Sequence, residues 1–149
     1  MLLFPALSGF SQKYRTAADT IRLNKEYLAV SNDIIDLNLK LLTAQSELPG
    51  FQSKAEAANV DASNAASASS DQASKATSGN VRDAKKAKRK AGKAYNEAKD
   101  SKAADNRVKA QKNKIDQYQA KLQKKQQRLE ALDAMRAAIY AKLTVTSPF

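Results

Sequence analysis

The 149-residue chain contains no cysteine, histidine or tryptophan. Without cysteine there are no disulfides and no thiolate chemistry, and without histidine there is no imidazole base. Zinc sites built on Cys and His are excluded by the same absences. Only 4 glycines and 3 prolines occur, too few for a sheet protein built on many tight turns. The runs GxxxxGK[ST], GxSxG and HExxH are all absent. No cofactor is expected. The acid pairs Asp33/Asp36 and Glu130/Asp133 read as surface charges, and the chain reads as no enzyme.

The N-terminus, MLLFPALSGF, is apolar but has no basic residue ahead of a short run that Pro5 interrupts. It matches neither a secretory signal nor a membrane span of about 20 apolar residues. The expected location is the cytoplasm or the interior of a particle or assembly.

What remains is rich in alanine, 28 residues of 149, and strongly basic, with a formal net charge of +11. Leu23, Tyr27, Val30, Ile34, Leu37, Leu41, Ala44 and Leu48 recur with 4-3 spacing, the seam of a coiled coil. A second row, Ile21, Leu28, Ile35 and Leu42, recurs every seven residues beside it; the two rows make a wide apolar face, which predicts packing against more than one neighbour, from this chain or another. Pro49-Gly50 predicts a break. Ser53 and Glu56 form a capping box that would restart the helix. Ala55, Ala58, Ala62, Ala65, Ser69, Ala73 and Ala76 then make a small-residue seam, although a Ser/Ala/Asn linker competes with helix there. Ser78-Gly79-Asn80 is the clearest turn, with Gly79 suited to a left-handed C′ position and Asn80 to an N-cap. Beyond it lie Ala84, Ala87, Ala91, Ala94 and Ala98. A stronger large-residue seam follows: Ile115, Tyr118, Leu122, Leu129, Leu132, Met135, Ile139 and Leu143. Lys125 interrupts it.

These patterns predict an all-α protein with helices over about 11–48, 53–78 and 81–143. Folded antiparallel about Gly79, residue i faces roughly residue 158 − i, so alanine meets alanine and large meets large. That agreement points to a long antiparallel coiled-coil hairpin. The alternative is a compact three- or four-helix bundle, with a reversal at Pro49-Gly50 and a further break near 99–106.

Residues 1–10 and 144–149 read as tails, the last extended. Leu2, Leu3, Phe4, Leu7, Phe10, Val145 and Phe149 are candidates for docking to a partner. Self-association or another protein subunit is the expected partnership.

Charge is uneven. Residues 1–78 carry 7 basic and 8 acidic side chains, and residues 79–149 carry 19 and 7. Arg82, Lys85, Lys86, Lys88, Arg89, Lys90 and Lys93 form one cationic run, and Lys121, Lys124, Lys125 and Arg128 another. Both are candidates for non-specific contact with nucleic acid or an anionic surface. No base-reading motif accompanies them, and Tyr95 stands alone among them. The composition is similar to that of several unrelated Ala/Lys-rich coiled coils: virion internal or tail-associated proteins, secretion accessory proteins and chromatin condensers. It is a likeness of composition, with no family motif behind it. Two functions follow as expectations: a structural subunit of a larger assembly, and a polyanion binder.

Overall fold

The structure is a computed structural model describing residues 14–145. The tail residues Leu2, Leu3, Phe4, Leu7, Phe10 and Phe149 lie outside those described. A 3-10 turn, Ala17–Asp19, leads into helix α1, Thr20–Thr77; helix α2 is Val81–Val145. The chain is an all-α pair of long helices joined by one short turn. It divides into two compact units, one of residues 14–39 and 119–145, the other of residues 40–118.

In the first unit, α1 and α2 bury Tyr14, Leu23, Val30, Leu132, Met135 and Ile139 together, with Tyr27, Ile34 and Leu129 packed against them. Leu23 and Leu132 are wholly enclosed. Lys125 Nζ donates to Asp33 Oδ2 at 2.6 Å, a pairing that falls on the 158 − i relation. Lys125 therefore sits half-buried in the seam and is held by a carboxylate from the other helix.

In the second unit, Ala44, Ala55, Ala65 and Ile115 are buried. The buried and half-buried positions continue the 4-3 alternation through Leu48, Phe51, Ala55, Ala58, Ala62, Ala65, Ser69, Gln72 and Ala76. The ladder passes Pro49-Gly50 without a change of phase, and α1 is unbroken there. The expected break does not occur, and Ser53 lies inside a helix and caps none. Proline removes one amide donor and crowds the carbonyl four residues earlier. Here that carbonyl belongs to Gln45, and Gln45, Pro49 and Gly50 are all exposed, so water can satisfy it while the inner ladder holds the helix. The segment 61–77 is helix, not linker. Helix α2 likewise continues through 99–106.

The alanine ladder of α2 is placed differently from its expected positions. Asp83, Ala87, Ala94, Glu97, Ser101, Ala104 and Val108 turn inward, while Ala84, Ala91 and Ala98 are exposed. Alanine is too small to fix which face of a helix is buried, because hydrophobic stabilisation scales with area. The large residues from 108 onward set the phase instead.

Asn80 Oδ1 accepts from the amides of Arg82 at 3.0 Å and Asp83 at 3.3 Å, capping α2. Gly79 is not left-handed. Its requirement is spatial: a Cβ there would lie 2.7 Å from the Lys75 carbonyl oxygen and 2.7 Å from Asp83 Oδ2. The backbone oxygen cannot swing aside, so Gly79→Ala should open the turn and cost about 1–2 kcal/mol in a denaturant titration.

The described entry to α1 is capped at Thr16. Asp19 Oδ2 accepts from the backbone amides of Arg15 and Thr16, both at 3.2 Å, and from Thr16 Oγ1 at 2.8 Å. The Arg15 amide foremost, then the Thr16 hydroxyl and amide, hold the Asp19 carboxyl below its ordinary value of 3.8. A depressed carboxylate stabilises the fold above its unfolded value and loses that contribution as pH falls through its folded value. The amides of Arg15 and Thr16 should therefore lose protection, relative to the exchange rate of an unfolded chain at the same pH, as pH falls through that lowered value, and Asp19→Asn should remove that pH dependence.

Candidate docking face and cationic surfaces

At 100° per residue, the helix separates two faces of α1. Leu23, Val30 and Ile34 point to α2. Ile21, Leu28, Ile35 and Leu39 fall well round the helix from them and are 82, 62, 59 and 62 % exposed. The second row is thus not the margin of one wide face. It is a separate apolar face, uncovered by α2. In the second unit Leu42 is exposed too.

Along the face of the first unit, Ile21, Lys25, Leu28, Asn32, Ile35 and Leu39 follow the same 4-3 spacing as the inner seam. One flank carries Arg22, Ala29 and Asp36, so it is basic at its N-terminal end and acidic two heptads later. The other carries Asn24, Ser31 and Asn38 and has no charge.

The two cationic clusters part company in the structure. Arg82, Lys85, Lys86, Lys88, Arg89, Lys90 and Lys93 are all exposed, and no ion pair engages them among the described residues. In the second cluster Lys121 and Lys124 are exposed, but Lys125 is bound to Asp33 and Arg128 to Glu26. Arg128 Nε donates to Glu26 Oε1 at 2.9 Å, Nη2 donates to the same oxygen, and Tyr14 Oη donates to Glu26 Oε2 at 2.6 Å. Arg128 therefore belongs to the interior contact between helices and is withdrawn from the polyanion candidates.

Thr144 and Val145, expected in an extended tail, are helical instead. They close α2, with Thr144 Oγ1 donating to the Ala141 carbonyl at 2.9 Å. Val145 is 83 % exposed. The seam tyrosines Tyr27 and Tyr118 are half-buried; Tyr14 is buried and Tyr140 is exposed.

One polar residue in the interior was not singled out from sequence. Gln111 is buried and donates through Nε2 to the Ala44 carbonyl at 2.8 Å and to Glu47 Oε2 at 3.1 Å. Its signal is positional: it stands between Val108 and Ile115 on the 4-3 ladder. Asn59 plays a related part, donating to Asp105 Oδ1 at 3.4 Å and accepting from Ser101 Oγ.

Among the described residues no group of three acidic side chains is placed to hold a metal ion, and no helix is long and apolar enough to cross a membrane. Comparison with protein-family models, with curated proteins and with solved structures finds no match to this chain. The protein is a small all-helical module of two helices with no catalytic motif.

Proposed function

We propose that this chain is a non-enzymatic coiled-coil subunit that works inside a larger protein assembly. It docks through the outer face of α1. The observation that carries this reading is the row Ile21, Leu28, Ile35 and Leu39, four large apolar side chains left in water by the pairing of α1 with α2. Apolar side chains repeated on one helix face gain most by being covered by another helix. The inner seam meanwhile supplies a stable support for that face.

The second reading is non-specific binding to a polyanion through Arg82, Lys85, Lys86, Lys88, Arg89, Lys90 and Lys93. Their full solvation and lack of internal partners favour it. Such contacts release counterions, so their affinity falls steeply as salt rises.

A salt series of duplex-DNA binding separates the two. For a structural subunit, DNA is not retained at about 0.15 M salt, and Lys86→Glu, Arg89→Glu and Lys90→Glu together change nothing at that salt. Retention at this ionic strength, abolished by the triple charge reversal, transfers the function to the cationic run.

A further inference from the structure

We infer that the occupant of the outer face of α1 is a second copy of the same chain, lying antiparallel and centred near Ala29. This rests on the docking reading above and adds the partner's identity and direction.

Charge placement carries the inference. Around the outer seam, Arg22, Ala29 and Asp36 occupy one flank, and Asn24, Ser31 and Asn38 the other. In a parallel pair of helices, opposite flanks meet, so the charged flank of one copy would lie against the Asn/Ser flank of the other. In an antiparallel pair, each flank meets its own counterpart. Arg22 then lies beside Asp36 of the second copy, and by symmetry Asp36 lies beside its Arg22. One surface thus supplies both sides of two ion pairs, as a two-fold interface requires. The point midway between Arg22 and Asp36 is Ala29, which is exposed and has no bulk to hold the helices apart.

The apolar residues pair about a point one residue further on, at position 30. Ile21 of one copy comes opposite Leu39 of the other, and Leu28 and Ile35 come beside Asn32 and Lys25. Ile and Leu at the ends are thus matched with each other, and the polar residues of the seam fall between them. A polar residue in a seam lowers stability but fixes register. Lys25 keeps its ammonium in water by extending along the apolar stem of its neighbour. Other registers that pair more leucines, such as those centred nearer Asp36, bring Asp36 against Asp36 or leave Arg22 without a carboxylate from the second copy. Like charges set against each other suppress those alternatives.

The absence of native cysteine makes the test clean, because a single introduced thiol carries the only spin label. The full-length chain is first weighed by sedimentation equilibrium up to about 0.1 mM, the range in which modest pairing is visible. A two-copy mass is expected. Label-to-label distances are then read from Ala29→Cys and, separately, from Ala18→Cys. Antiparallel pairing gives a short distance at 29 and one longer by about 30 Å at 18, from the 1.5 Å rise per residue. Arg22→Glu should weaken pairing about tenfold, since it turns two symmetric attractions into repulsions. Adding Asp36→Arg should restore it. Leu28→Asp should give a monomer whose helix content and melting are unchanged, because Leu28 is exposed and lies outside the buried cluster.

A monomer at every concentration overturns the inference, and so does a dimer with equal short distances at both labels. So does failure of Asp36→Arg to rescue Arg22→Glu. None of these results alters the DNA series, which alone decides the reading on which the inference rests.

Discussion

Leu132→Ala should lose about 3–5 kcal/mol of stability in a denaturant titration, an effect matched among the described residues by Leu23→Ala, the other wholly enclosed leucine. Leu132 has no solvent exposure and lies among Tyr14, Leu23, Val30, Met135 and Ile139. Truncation removes the transfer free energy of its buried carbons and leaves a cavity. Long helices held by neighbours on both sides cannot close that cavity by moving one residue. The second unit offers no equivalent site. Ile115 is the large aliphatic buried there, and its other buried apolar residues, Ala44, Ala55 and Ala65, have little area to lose. The same change at an outer position, Leu28→Ala, should shift stability by less than about 0.5 kcal/mol at dilute concentration. The contrast between the two leucines separates inner from outer face by thermodynamics alone.

Among the charged residues described, Glu26→Ala should be the most damaging change, at about 2–3 kcal/mol. Its carboxylate receives the Arg128 guanidinium on one oxygen and the Tyr14 hydroxyl on the other. The Glu26 and Arg128 side chains are only 25 and 23 % exposed. Removing the carboxylate leaves a largely desolvated guanidinium and a part-buried hydroxyl without that partner, which costs more than the net worth of the bonds themselves. Asp33→Ala breaks a second ion pair between the helices, Lys125–Asp33, whose side chains are 40 and 53 % exposed. Water solvates the Lys125 ammonium that remains, so the expected loss is about 0.5 kcal/mol and falls with added salt. Urea melts of the two variants at low and high salt check the difference. Glu26→Ala should be nearly indifferent to salt and Asp33→Ala should not.

The helices, the turn and the pairing were readable from the chain because large residues carry period and phase together. Leu23 to Leu48 and Ile115 to Ile139 fixed which faces meet and in what direction. Asn80 was legible as a cap because its carboxamide oxygen can reach only the next two or three amides. Pro49-Gly50 misled because its effect on the backbone is local. The ladder on either side of it is in phase, and Phe51, the residue that joins them, is the evidence against a break. In α2 the alanines at 84, 91 and 98 misled for a different reason. A methyl group buries so little area that Asp83 and Glu97 can take the inward positions without a large penalty, since their carboxylates reach water past small neighbours. Ile21, Leu28, Ile35 and Leu42 were found by their seven-residue spacing, but spacing alone does not say whether a row widens a seam or makes a second one. The 100° step between residues, applied to both rows at once, places them on different faces. Partnership between charges was not legible either. Lys125 and Arg128 look like the free lysines around them until the facing helix brings Asp33 and Glu26 to meet them.

The separation of the two faces of α1 is tested most directly by hydroxyl-radical footprinting of the full-length chain, read residue by residue by mass spectrometry. In dilute solution Ile21, Leu28 and Ile35 should oxidise at the rate of exposed side chains while Leu23 and Val30 stay protected. As concentration rises, protection should spread to the outer row and leave the inner row unchanged. An outer row already protected in dilute monomer, or an inner row that oxidises as fast as the outer, would contradict the division of α1 into a face that holds the hairpin and a face that docks.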